Sequence, residues 1–128
     1  MSQRTRTLTF VTAGWMAFVW ITRIRNAAGD ETLSSVARAS AYILSAVCLA
    51  GAATLAVVAA RRGPERLVVA LVVPIVVAHA AIWIIRATQI ALGDRGVPFK
   101  VVHVMLGLVS VGLAVLVVRS TRRAPVLV

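Results

Sequence analysis

The most constraining feature of the sequence is an uncharged and strongly apolar stretch at residues 67–85. An α-helix rises about 1.5 Å per residue, so about 20 apolar residues cross the hydrocarbon core of a bilayer. Further apolar stretches fill residues 39–60 and 101–118, and a threonine-rich one fills residues 7–22. We therefore expect a single integral membrane domain, an all-α bundle of four transmembrane helices at residues 7–24, 39–60, 67–90 and 99–118.

Basic residues lie in the gaps between these stretches. The chain has 14 Lys and Arg against 4 Asp and Glu, a net charge of +10, which in a soluble chain would suggest a nucleic-acid partner. Eight of the 14 fall on the side of the termini and the middle loop: Arg4, Arg6, Arg61, Arg62, Arg66, Arg119, Arg122 and Arg123. The positive-inside rule then predicts a multi-pass plasma-membrane protein with both termini in the cytoplasm. Its expected partner is a bilayer with anionic lipids, and no nucleic acid.

The two halves of the chain share a pattern. Trp20 and Arg23 match Trp83 and Arg86, a Gly-Asp pair follows in each half, and a double arginine closes each half. Two helices per half give both halves the same orientation, which predicts two parallel-repeated helical hairpins rather than an inverted repeat. Hydrophobic sequences also align by chance, so duplication and fortuitous similarity both stay open.

Arg23 and Arg86 each lie three residues after a tryptophan, at the end of an apolar stretch. One interpretation is an interfacial anchor, because tryptophans and snorkelling arginines are enriched where helices leave the membrane. The other is a binding site for a phosphate or carboxylate, such as a lipid headgroup. In that case Arg23, Arg86, Lys100 and Trp83 would line an outward-facing basic vestibule.

A polar stripe is also predicted inside the membrane. His79, Trp83 and Arg86 share one face of the third helix, and His103 and Ser110 share a small-residue face of the fourth. Two histidines on neighbouring helices raise the alternative of b-type haem, although their depths differ by about 6 Å. We expect no cofactor and no metal site, with histidines that bond to Ser, Thr or a carbonyl.

Two segments carry a resemblance to a known group of proteins. Residues 99–110 read F-x-x-x-H-x-x-L-x-x-V-S, and residues 15–20 read W-x-x-x-x-W. In this the chain resembles short multi-pass membrane proteins of high-GC Gram-positive (actinobacterial) bacteria. The resemblance implies an actinobacterial plasma membrane and no particular activity.

Three functions fit these observations. The first is a non-enzymatic accessory or assembly subunit of a larger membrane complex, since a chain of 128 residues has little interior for a pathway. Its partners would be other membrane subunits or further copies of itself. The second is a small oligomeric transporter or channel using the basic vestibule, and the third is a haem- or quinone-linked electron carrier. Catalysis is disfavoured, because the sequence has no nucleophile triad, phosphate loop or nucleotide-binding motif.

Overall fold

A computed structural model describes residues 1–122. Its four long helices are α1 (Gln3–Gly29), α2 (Ser35–Ala60), α3 (Glu65–Leu92) and α4 (Val97–Arg122). All four are long and apolar enough to cross a membrane, which confirms the all-α four-helix class and a multi-pass membrane protein. Each predicted span lies within the corresponding helix. Arg123, part of the second predicted double arginine, lies outside the described residues.

The helices form two hairpins that pack side by side. α1 packs along α2, and α3 packs along α4; α1 also contacts α4, and α2 contacts the beginning of α3. The N-terminus, the turn at residues 61–64 and the end of α4 therefore share one end of the bundle, called here the terminal end. The connections at residues 30–34 and 93–96 lie at the opposite end, called here the hairpin end.

Two glycines lie where neighbouring helices approach each other closely. A Cβ atom added to Gly51 would lie 3.2 Å from Cγ2 of Ile75, where α2 approaches α3. One added to Gly107 would lie 3.2 Å from Cβ of Ala87, where α4 approaches α3. Small residues allow such approaches in membrane proteins, where dispersion contacts between close helices supply much of the association energy.

The helix ends follow from local sequence. The side chains of Ser2 and Ser34 accept hydrogen bonds from the backbone N–H groups of Thr5 and Ala37, both at 3.1 Å. These bonds satisfy N–H groups that have no partner within the first turn of a helix. Pro64 lies immediately before α3, where its missing N–H is not needed.

The threonines of α1 are compatible with a membrane span because their hydroxyls are satisfied within the helix. Thr9 and Thr12 are buried, and each donates to a backbone carbonyl four residues earlier at 2.8 Å. Such bonds remove the cost of placing a hydroxyl in an apolar environment. The threonine-rich composition of the first stretch therefore does not prevent it from crossing the bilayer.

Pro74 is accommodated by a widened turn rather than by a break in α3. The backbone is π-helical over Val68–Val72, and the N–H of Val73 donates to the carbonyl of Val68. Proline has no N–H for the carbonyl four residues earlier, and local π-helical turns are one way in which membrane helices rearrange around it. The π turn also directs Val68 and Val72 into the core, where both are almost completely buried.

The core fills the middle and the terminal half of the bundle. The large side chains of Met16, Leu55, Val72, Val76 and Val117 are at most 1% exposed. They come from all four helices and leave the hairpin end as the place where the interior opens.

Candidate functional site

A cavity of about 470 Å³ lies between the four helices at the hairpin end. Its volume falls in the range of small-molecule sites, about 300–1,000 Å³. The polar side chains that line it are Thr22, Arg23, Asn26, Asp30, Arg86, Arg95 and His103. The larger apolar side chains that line it are Phe18, Val19, Leu33, Trp83, Ile90, Phe99, Val102 and Leu106. The cavity is thus amphipathic, with a concentration of basic groups in an otherwise apolar wall.

Arg23 and Arg86 occupy matching positions of the two hairpins, and both line this cavity. Both are half-buried rather than exposed. Residues at matching positions of a parallel repeat are expected at similar depth, and these two line one cavity. Their like charges repel each other, and an anion between them would relieve that repulsion.

Two buried N–H groups in the cavity wall have no acceptor. Nε of Arg23 and Nε1 of Trp83 are both buried, and within residues 1–122 neither has a hydrogen-bond partner. Trp83 is only 3% exposed. A buried donor without an acceptor costs about 1–3 kcal/mol, and a buried indole N–H usually has a partner. Both donors belong to residues that line the cavity, and both lie beneath its surface.

The rim of the cavity carries opposite charges. Arg95 lies with its guanidinium carbon 5.0 Å from the centre of the Phe99 ring, a cation–π contact. Asp30 accepts hydrogen bonds from the hydroxyl and the backbone N–H of Thr32. These bonds lower the pKa of Asp30, and the positive charges of Arg95 and Arg38 lower it further. With three arginines against one aspartate, the lining has an excess of positive charge.

An aromatic cluster packs behind Trp83, outside the cavity lining. Nε1 of Trp20 donates a hydrogen bond of 2.9 Å to Nε2 of His79, and both residues are buried. The ring of Trp20 also lies 6.3 Å from that of Trp83, which lines the cavity above it. His79 therefore lies below the site, as part of its support, and bonds to an indole rather than to the Ser, Thr or carbonyl that the sequence suggested.

The fourth helix contributes one face to the cavity. Phe99, Val102, His103 and Leu106 follow the spacing of a helix face and line it. The His103 ring stacks on Phe99 with centroids 4.0 Å apart, and its Nδ1 lies 2.8 Å from the carbonyl of Phe99. Lys100 is not among the lining residues, because it lies about 100° around the helix from Phe99.

Ser110 lies one turn below this face and has a structural contact. It is buried, and its hydroxyl accepts a hydrogen bond of 2.9 Å from Nε1 of Trp15. The bond joins α4 to α1. Of the predicted residues, the structure thus brings Arg23, Arg86, Trp83 and His103 into one cavity and places His79 and Ser110 below it.

Sequence reasoning missed two residues of this region. Arg95, rather than Lys100, is the third basic group, and Trp20 is the partner of His79. The position of Trp20 in the predicted repeat, opposite Trp83, was a signal that the two tryptophans meet. Comparisons of the chain with protein-family models, with curated proteins and with solved structures found no match.

Proposed function

We propose that this small polytopic membrane protein is a non-enzymatic binding protein that holds the phosphate or carboxylate group of a ligand in the cavity at its hairpin end. The observation that carries the proposal is that two half-buried arginines, Arg23 on the first hairpin and Arg86 on the second, line the same cavity. An anionic group between them would accept hydrogen bonds from both guanidinium groups.

The orientation of the arginines supports binding over anchoring. An interfacial anchor directs its guanidinium away from the bundle, toward the headgroups around the protein. Arg23 and Arg86 instead line an internal cavity, whereas Arg25, two residues from Arg23, is exposed and does not. Charge-assisted bonds to a carboxylate or phosphate are about twice as strong as neutral hydrogen bonds. Two inward-facing guanidinium groups are therefore suited to capturing an anion.

The packing below the cavity supports binding over conduction. Trp20 and His79 are buried and bonded to each other behind Trp83, and Leu55, Val72 and Val117, nearer the terminal end, have no exposed surface. A transport pathway through one copy of the chain would have to displace this packed core. The same bond occupies the Nε2 lone pair of His79, so haem ligation at that atom would require its loss. The absorbance spectrum of the purified protein tests the haem alternative, for which a Soret band is the expected signature.

Thermal denaturation in a neutral detergent tests the proposal. Phosphate groups are supplied either as inorganic phosphate or as phosphatidic acid, and a ligand at 100 times its Kd stabilises the folded state by about 2.7 kcal/mol. We expect Arg23→Gln and Arg86→Gln each to lower the affinity about tenfold, in line with the strength of a charge-assisted bond. Arg25→Gln is the matched control, because Arg25 is exposed and outside the cavity.

Two results would contradict the proposal. One is that neither phosphate source stabilises the unaltered protein. The other is that both arginine variants lose stability without ligand and respond to ligand as the unaltered protein does, which is the behaviour of anchoring residues.

We further propose that the protein lies in a plasma membrane with both termini in the cytoplasm. The exposed arginines of the terminal end support this orientation, namely Arg4, Arg61, Arg62, Arg66, Arg119 and Arg122. Ser2→Cys and Ser35→Cys place thiols at opposite ends, and the natural Cys48 is buried. An impermeant maleimide added to intact cells should label Ser35→Cys and not Ser2→Cys. Labelling of Ser2→Cys alone would show the opposite orientation, with both termini outside the cell.

The setting that we propose for this binding activity is an accessory or assembly subunit of a larger membrane complex. The small packed interior supports it, since one copy has little room for a reaction or a pathway beyond the single cavity. Native mass spectrometry of the protein extracted from its source membrane should show it joined to different subunits. A stable homo-oligomer without other subunits would contradict the accessory role and favour the transporter alternative.

A further inference from the structure

The cavity reaches the side of the bundle between α1 and α4, where lining residues of both helices are more than half exposed. These helices are joined near mid-membrane by the bond from Trp15 to Ser110, at 2.9 Å. Toward the hairpin end the next residues on the two helices are Phe18 and Leu106, which line the cavity instead of closing it. The gap between α1 and α4 above the Trp15–Ser110 bond is called here the lateral gap.

Side chains at the lateral gap face both the cavity and the surroundings of the bundle. Phe18 on α1 is 60% exposed and Val102 on α4 is 54% exposed, yet both line the cavity. Phe18 lies five residues below Arg23, which is about 7.5 Å deeper along the helix. At that depth the surroundings of a transmembrane helix are hydrocarbon chains rather than water. The lateral gap thus connects the cavity to the acyl region of the bilayer.

Two parts of the cavity match the two parts of an amphiphile. The guanidinium groups of Arg23 and Arg86 suit an anionic head, and the apolar lateral gap suits a hydrocarbon chain attached to it. A free anion would contact only the basic part of the cavity, and no part of such a ligand would cover the apolar walls. From this geometry we infer that the ligand is an anionic lipid, which enters sideways through the lateral gap and keeps its acyl chain there. This inference rests on the anion-binding function proposed above.

Adjacent residues of α4 provide a matched pair of variants. Val102→Trp places a bulky side chain in the lateral gap. Val101→Trp places the same side chain one residue away, on a face that does not line the cavity, where Val101 is 56% exposed. Both positions carry the same residue at nearly the same depth and exposure. A difference between the variants therefore reports on the gap rather than on tryptophan in α4.

The probes are dioleoyl phosphatidic acid, dioleoyl phosphatidylcholine and inorganic phosphate, each titrated by thermal denaturation of the full chain in a neutral detergent. We expect phosphatidic acid to stabilise the protein at concentrations at least tenfold lower than inorganic phosphate, and phosphatidylcholine to have no effect. Val102→Trp should weaken the binding of phosphatidic acid at least fivefold and leave the binding of inorganic phosphate unchanged. Val101→Trp should change neither.

The possible results separate this inference from the proposed function. Equal affinities for phosphatidic acid and inorganic phosphate, or no selective effect of Val102→Trp on the lipid, would overturn lateral lipid binding and leave the anion site intact. Stabilisation by phosphatidylcholine as strong as that by phosphatidic acid would overturn recognition of the anionic head. Absence of stabilisation by either phosphate source would overturn the anion site itself, and the inference with it.

Discussion

The indole Nε1 of Trp20 donates a hydrogen bond of 2.9 Å to Nε2 of His79, across the interface of α1 and α3. For Nε2 to accept, the neutral imidazole must carry its proton on Nδ1. Both residues are buried, so water cannot replace either partner at low cost. The bond therefore joins the two hairpins directly beneath the proposed ligand site.

Trp20→Phe should lower the free energy of unfolding by about 1–2 kcal/mol, the upper part of the range for hydrogen bonds between membrane helices. The substitution leaves Nε2 of His79 without a donor in an apolar interior. In the double variant Trp20→Phe/His79→Leu both polar groups are gone, so its loss should be smaller than the sum of the single losses. Unfolding by SDS in mixed micelles, followed by far-UV circular dichroism, measures the loss in Trp20→Phe, in His79→Leu and in the double variant. Strict additivity would mean that the bond contributes nothing.

Gly107 and Gly112 on α4 should differ sharply in their tolerance of a side chain. A Cβ atom at Gly107 would lie 3.2 Å from Cβ of Ala87 and 3.9 Å from the ring of Trp83, whereas a Cβ at Gly112 has no neighbour within 4 Å. Gly107→Leu should cost about 1–3 kcal/mol of stability, because it forces α3 and α4 apart. Gly112→Leu, its control, should leave the same SDS unfolding curve unchanged or shift it to higher SDS. Equal effects would refute the close approach of these helices.

The four helices could be predicted from the sequence because membrane burial acts on each helix separately. A run of apolar residues must satisfy its backbone internally whatever its neighbours are, so length and charge are enough to identify it. The same is true of the Ser2 and Ser34 caps, which act within one turn. Contacts between helices depend on rotation about each helix axis, and this is where the sequence was less informative.

Two contact faces show this limit. On α2, the four-residue spacing of Cys48, Ala52, Ala56 and Ala60 predicts one contact face of small residues. Steps of four residues drift by about 40° each from the true period of 3.6. The buried face accordingly follows Cys48, Ala52, Leu55 and Ala59, while Ala60 is exposed. Lys100 lies outside the cavity for the same reason, a rotation of α4 that only packing against α1 and α3 determines, whereas Arg95 reaches the cavity from the connection at residues 93–96.

Arg62 is the one non-glycine residue with a positive φ in the described part of the chain, at 49°. It ends α2 in a left-handed turn, and the N–H of the following Gly63 donates to the carbonyl of Val58 at 3.0 Å. A left-handed conformation costs a residue with a side chain about 1–2 kcal/mol. Arg62→Gly should therefore raise the free energy of unfolding, measured by SDS titration. Arg61→Gly is the control, and it should not raise the free energy of unfolding because Arg61 has a φ of −79°. A loss of stability in Arg62→Gly would mean that the side chain of Arg62 is needed.

Asp30 at the cavity rim should weaken anion binding, and removing its charge should strengthen it. Hydrogen bonds from Thr32 hold the pKa of Asp30 below its usual value of 3.8, so the carboxylate is ionised at neutral pH and opposes an incoming anion. Asp30→Asn should tighten sulfate binding about two- to fivefold, the size expected for one solvent-exposed unit charge a few ångströms away. Glu31→Gln is the control, because Glu31 is exposed and does not line the cavity.

The pH dependence of this effect follows from the same pKa. Sulfate keeps its charge over the range tested, so the gain in Asp30→Asn should stay constant from pH 8 to about pH 5. Because the pKa of Asp30 lies below 3.8, the unaltered protein protonates Asp30 only at still lower pH, where it loses the opposing charge and its affinity should rise toward that of the variant. Thermal denaturation with sulfate at each pH measures both curves. A gain that disappears near neutral pH, or equal gains in Asp30→Asn and Glu31→Gln, would show that Asp30 does not act on the cavity.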